Sequence, residues 1–170
     1  MKQILFFFVI VALLASCNIV YFDAPQPAGE MPVDSFPAGW QGAYISDSDT
    51  TIIGANYLVV PVWGKKSRFL LSDSLVLKPY QDDFFVLNIV PTKDTAGIWI
   101  PVLMKKSGRK LYVYTVDYND NLQEKLDEAG IKYERTQTKD IVIEQLTRNQ
   151  FDMLVKKKFF VRSGLLKKIE

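Results

Sequence analysis

The chain of 170 residues contains no histidine and a single cysteine, Cys17. Without histidine there is no Ser-His-Asp or Cys-His arrangement and no imidazole to hold zinc. One cysteine makes no intrachain disulfide and no thiolate cluster. Acid–base chemistry would rest on Asp, Glu, Lys and Tyr. Charge of one sign is also lacking: 21 Lys plus Arg stand against 19 Asp plus Glu. That balance argues against nucleic acid as a partner. Long hydrophobic runs are missing too. The longest, residues 4–15, is well short of the roughly 20 residues that a membrane-crossing helix needs.

What is present begins with that run. Lys2 supplies a positive start, residues 4–15 an apolar core of signal-peptide length, and Ala15 and Ser16 the small residues of a cleavage site. Leu14-Ala15-Ser16-Cys17 resembles the lipobox of bacterial lipoproteins: an aliphatic residue, two small ones, then the cysteine that receives diacylglycerol. The resemblance implies that residues 1–16 are removed and that Cys17 is lipidated, palmitate being one such chain. The alternatives are a plain signal peptide with a chance cysteine, or an uncleaved anchor. A buried methylene contributes roughly 0.8 kcal/mol to membrane affinity, and firm anchoring takes two chains, which a diacylated Cys17 supplies. Once Cys17 is acylated no thiol remains, so stability must come from packing. Position 18 is Asn, not the Asp that retains many Gram-negative lipoproteins in the inner membrane. Residues 18–22 carry none of the acidic residues that flag some surface lipoproteins. By that resemblance the expected site is the outer membrane, periplasmic face.

Residues 17–39 follow as the lipidated cysteine and a Pro-rich tether. Pro25, Pro27, Pro32 and Pro37 each lock φ and remove a donor, which bars a central strand or helix interior. An extended spacer of this length reaches up to roughly 60 Å. The alternative is that Ile19, Val20, Tyr21 and Phe22 pack on the domain and shorten that reach.

Residues 40–170 read as one β-rich domain, large enough for its own core. Val, Ile, Tyr, Phe and Trp concentrate in segments 41–46, 50–53, 57–63, 74–80, 84–90, 98–105 and 110–117. Turns are signalled by Asp47-Ser48-Asp49 and Gly64-Lys65-Lys66, and Lys106-Ser107-Gly108-Arg109 marks the clearest hairpin. Pro79 and Pro101 place their strands at edges or end them early. A helix is predicted over 122–129, with Asn121 and Glu124 as a capping box and Gly130 at C′. Short strands are expected at 131–135 and 140–143. A second helix starts from the Thr147/Gln150 box and carries Phe151, Leu154 and Val155 on its apolar stripe. Strands at 159–162 and 165–169 complete the chain. The fold class is mainly β with minor α: an antiparallel meander curled or closed into a small barrel, with two short helices in the C-terminal half packed on one face or plugging one end.

Several clusters carry competing readings. Asp117, Asn119, Asn121 and Glu128 occupy positions of a calcium loop, but Leu122 stands where that loop needs glycine; helix capping explains the same residues. Asp47, Asp49, Asp82 and Asp83 are possible carboxylate pairs for glycoside chemistry, and all lie at predicted turns, where Asp serves local hydrogen bonds. Phe84, Phe85, Trp99, Tyr112 and Tyr114 lie in strands that are apolar on both faces. Such strands fit a filled core with helices outside, a barrel lumen holding an apolar ligand in a cavity above roughly 300 Å³, or an exposed patch for a partner. Residues 148–170 carry seven basic and two acidic residues, a patch for anionic head groups or a solvated face.

The lipobox, Phe36-Pro37, Gly42-Ala43-Tyr44 and the Thr147-Gln150-Phe151 helix start together resemble small envelope lipoproteins of Bacteroidetes-type bacteria. Gly42-x-Tyr44 is also similar to the Gly-x-Trp that opens lipocalins, with tyrosine in place of tryptophan. The anchor, the spacer and the lack of catalytic signatures point to a non-enzymatic binding or structural module, with an envelope protein as partner; the two-sided apolar strands give the alternative, a lipocalin-like carrier of an apolar ligand. No catalytic residue, cofactor or metal ligand is indicated.

Overall fold

The computed structural model describes residues 19–46, 49–62, 65–81, 83–91, 97–119, 121–138, 140–144 and 146–169. Cys17 and the leader lie outside these, as do Asp47, Asp82 and Asp120. The chain is mainly β, and its principal element is a nine-stranded antiparallel sheet curled into a half-barrel. Four strands come first: β2 (Gly42–Ser46), β3 (Asp49–Ile53), β4 (Tyr57–Val62) and β5 (Lys65–Leu70). A second meander follows: β6 (Leu75–Gln81), β7 (Phe84–Ile89), β8 (Ile100–Ser107) and β9 (Lys110–Val116). The last strand, β12 (Phe160–Lys168), inserts between β9 and β2 and joins the two meanders in the order β5-β4-β3-β2-β12-β9-β8-β7-β6. The half-barrel is open between its edges, β5 and β6. A smaller sheet pairs β1 (Val20–Phe22), parallel, with β11 (Ile141–Ile143), and β11, antiparallel, with β10 (Tyr133–Arg135). Two helices, α1 (Leu122–Glu128) and α2 (Arg148–Lys156), complete the described fold. No helix among the described residues is long and apolar enough to cross a membrane.

The two-sided apolar strands have two cores to fill. On the convex face, Tyr80, Val86 and Leu103 pack against Leu122 and Leu126 of α1, Phe151 and Leu154 of α2, and Phe22, Ile141 and Ile143 of the small sheet. On the concave face, Leu77, Leu87, Met104 and Leu111 pack with Phe36, Trp40, Tyr44 and Ile53. Alternation along β7 sends Phe84 and Val86 to one core and Phe85 and Leu87 to the other, as a pleat requires.

Several sequence expectations are corrected. Residues 65–70 form β5, which the sequence did not suggest, because Lys65, Lys66 and Arg68 lower its β signal; as an edge strand it tolerates charge. The two strands expected at 159–162 and 165–169 are one strand, with a register shift between Arg162 and Gly164. Pro79 does lie on the edge strand β6, but Pro101 lies on interior β8. It is tolerated there because β9 pairs with β8 only from Leu103 onward. Thr147 and Gln150 form their reciprocal box at 2.9 and 3.3 Å. Asn121 makes no side-chain cap; instead the Asn119 side-chain oxygen accepts from the Asn121 N–H at 3.1 Å.

The largest correction concerns the expected tether. From Ile19 the chain belongs to the folded body. Val20 and Phe22 are buried in the small sheet, and the prolines are accommodated because the segment runs over the sheet without joining a central ladder. Asn88, on the convex face of β7, accepts from the Gln26 N–H at 2.7 Å and donates to the Gln26 carbonyl at 2.8 Å. The Lys78 ammonium donates to the carbonyls of Pro25 and Pro27 at 2.9 and 3.1 Å. The chain then rounds the β6 edge, where the Val33 N–H donates to the Leu77 carbonyl at 2.9 Å. It ends on the concave side with Phe36 and Trp40. Residues 19–40 are thus a strap around one edge of the half-barrel.

Candidate functional site

The concave face is not filled along its whole length. Beyond Trp40 and Tyr44 it leaves an apolar trough of about 280 Å³. Eight strands line it, each through residues of one pleat face: Thr51 and Ile53 of β3, Leu58 and Val60 of β4, Phe69 of β5, Leu75 of β6, Leu87 and Ile89 of β7, Val102 and Met104 of β8, Val113 of β9 and Leu166 of β12. Thr51 carries the only polar side-chain atom in that lining. The strap closes one end, with Trp40 edge-on to Phe85 at 5.1 Å between ring centroids. The Phe36 N–H donates to the Ala55 carbonyl at 2.7 Å and holds that end against the β3–β4 turn.

The open side lies at β5. Pairing of β4 with β3 is limited to Val59 and Leu58, while β4 and β5 pair from Tyr57 to Val62, so the β4–β5 hairpin extends past its neighbour. Phe69 remains 41% exposed at the lip, and Leu70 beside it 52%. Lys65, Ser67 and Phe69 share one pleat face by alternation, which sets an exposed lysine on the trough side of β5. The Arg68 guanidinium, on the other face, stacks 4.0 Å from the Tyr57 ring centroid.

The residues singled out in the sequence are distributed as follows. Of the two-sided aromatics, Phe85 packs into the concave core, and Phe84, Trp99 and Tyr114 into the convex one. Both a helix-covered outer face and a cavity are therefore present. The cavity falls just short of the roughly 300 Å³ at which small-molecule pockets begin. Asp117 and Asn119 bond to each other, and Glu128 pairs with Lys157 at 2.7 Å, which lowers the Glu128 pKa through that hydrogen bond and charge. Of the four turn carboxylates, Asp49 opens β3 and Asp83 precedes β7, five strand spacings apart in the sheet, or roughly 24 Å along it. The basic C-terminal residues do not form one patch. Lys156 to Lys158 lie before β12 and Lys167 and Lys168 at its end, more than roughly 25 Å apart along the strand, while Arg148 pairs with Glu30 and Asp152.

Two features escaped the sequence. The strap clamp of Gln26, Lys78 and Asn88 left one signal, a lone amide inside the apolar run of β7. The lip at Phe69 left none, because β5 itself was hidden.

Residues 1–18 match the prokaryotic membrane lipoprotein lipid attachment site. The chain therefore carries a lipoprotein signal, which supports membrane anchoring in the cell envelope. No curated protein and no solved structure matches the chain.

Proposed function

We propose that the chain is a non-enzymatic binding module, acylated at Cys17 and held on the periplasmic face of the outer membrane. Its trough takes the hydrocarbon chain of a single-chain anionic amphiphile. The observation that carries this reading is a trough lining whose one polar side-chain atom is the Thr51 hydroxyl, with Lys65 exposed on the same pleat face of β5 as Phe69. Burying apolar area contributes about 25 cal/mol per Å², and the exposed Lys65 on the trough side of β5 offers a counter-charge to an acidic head. The half-barrel is open and partly filled by Phe36, Trp40 and Tyr44, so the guest is a slender chain and not the bulkier cargo of a closed lipocalin-like carrier. The lipobox and Asn18 support the placement.

Titration of a chain starting at Asn18 with a dansyl-labelled undecanoic acid tests the trough. Saturable one-to-one binding is expected, with blue-shifted emission. Phe69→Asp at the exposed lip should weaken it about tenfold, equivalent to about 1.4 kcal/mol. Lys65→Glu should weaken the acid but not the matching uncharged alcohol. Absence of saturable binding, or equal affinity in Phe69→Asp, overturns the reading.

A further inference from the structure

We propose that the end of the small sheet formed by Ile19, Thr136, Gln137, Thr138 and Asp140 is a membrane-apposed face, lying against the phospholipid head groups with no spacer between body and bilayer. This rests on the reading that Cys17 carries the lipid.

Covalent geometry carries the argument. A chain spans at most about 3.3–3.6 Å per residue, so Ile19 lies within roughly 7 Å of the acylated residue. Ile19 is itself fixed. Its N–H, the one that joins it to Asn18, donates to the Asp140 carboxylate at 2.8 Å. Its carbonyl accepts from the Ile141 N–H at 3.0 Å. The Val20–Ile141 register continues the hold into β1. Asp140 is held in turn: its second carboxylate oxygen accepts from the Thr138 hydroxyl at 2.6 Å, and its N–H donates to the Thr136 hydroxyl at 3.1 Å. The Thr136 N–H donates back to the Asp140 carbonyl at 2.9 Å. The point where the chain leaves the body is therefore a rigid lip made of Ile19, Thr136, Thr138 and Asp140. Ile19 is 38% exposed there. A separation of roughly 7 Å is within the Debye length at physiological salt, about 8 Å. Residues 135–140 carry Arg135 and Lys139 against Asp140, a net charge of only +1, so the tether imposes the apposition and salt should not release it. The trough mouth at β5 lies six strand spacings along the sheet from β8, which begins just after Trp99, the residue that bridges Phe22 of β1.

The test uses the full lipidated protein in phosphatidylcholine liposomes that carry nitroxide on a fraction of the head groups. A bimane probe is placed on Gln137→Cys, at the exposed turn, or on Lys66→Cys, on β5. Severalfold stronger quenching at position 137 than at 66 is expected, unchanged in high salt. A Gly/Ser linker of about ten residues inserted between Asn18 and Ile19 adds a reach of roughly 17 Å and should remove the contrast. If the protein does not float with the liposomes, the anchored reading fails and the proposal falls with it. If it floats but position 137 is quenched no more than 66, or the linker changes nothing, the anchor stands and the apposed face is overturned.

Discussion

Lys78 is a basic residue with 9% of its surface exposed. Its ammonium is satisfied by two strap carbonyls, yet burial lowers its pKa below the usual 10.5, with Glu30 opposing part of that shift. Between the lowered value and 10.5 the unfolded chain binds more protons than the folded one, so this group makes stability rise with pH across that window. Lys78→Met removes the titration and leaves the Pro25 and Pro27 carbonyls without their donor. The variant should be less stable by about 1–3 kcal/mol at neutral pH. The gap between wild type and variant should widen as pH approaches 10.5, measured by urea unfolding. A constant gap would mean that Lys78 is not desolvated in the fold. The same logic explains Asn88. A buried amide in an apolar strand is costly unless satisfied, and both strap bonds to Gln26 satisfy it.

At the scale of elements, both helices end in the same way. In α1 the Ile131 N–H donates to the Leu126 carbonyl and the Gly130 N–H to that of Asp127, each at 3.0 Å, with Gly130 at φ +62°. In α2 the Phe159 N–H donates to Leu154 at 3.0 Å and the Lys158 N–H to Val155 at 3.2 Å. Here the left-handed position is Lys158, φ +57°, where a Cβ costs roughly 1–2 kcal/mol. Glycine relieves that cost but adds freedom to the unfolded chain. Lys158→Gly should therefore stabilise by about 0.5–1 kcal/mol, read as a raised Tm, whereas Gly130→Lys should lower it. Edge strands follow a different logic. β6 is bridged by the strap at Val33, and β5 presents Lys65, Lys66 and Arg68, charges that oppose pairing with another chain.

For the whole molecule, the strap decides how the anchor meets the body. Free, residues 19–40 would form a spacer; folded, they supply β1 to the small sheet and close one end of the trough. Asn88→Leu removes both bonds to Gln26, a loss of about 2 kcal/mol. Hydrogen exchange in residues 20–36 should then quicken roughly 30-fold, while the β8–β9 hairpin amides keep their protection. Equal loss of protection in both regions would show that the strap and the half-barrel open as one unit.

Local patterns were sufficient for much of this protein. Alternating Val, Ile and Tyr located every strand of the two meanders except β5, Gly108 their clearest hairpin, Gly130 and the Thr147/Gln150 box the helix ends, and Leu14 to Cys17 the lipoprotein signal, because each depends on residues a few positions apart. The apolar faces of β9 already required cover on both sides. What covers each face depends on partners far apart in the chain: Gln26 with Asn88, Ile19 with Asp140, and β12 with both β2 and β9. Proline-rich composition describes a chain that cannot enter a ladder, and it is silent on whether a buried amide and a lysine elsewhere will hold that chain down. Only the tertiary structure turned the spacer into a strap and left the trough open at β5, since both follow from long-range pairing and the curl of the sheet.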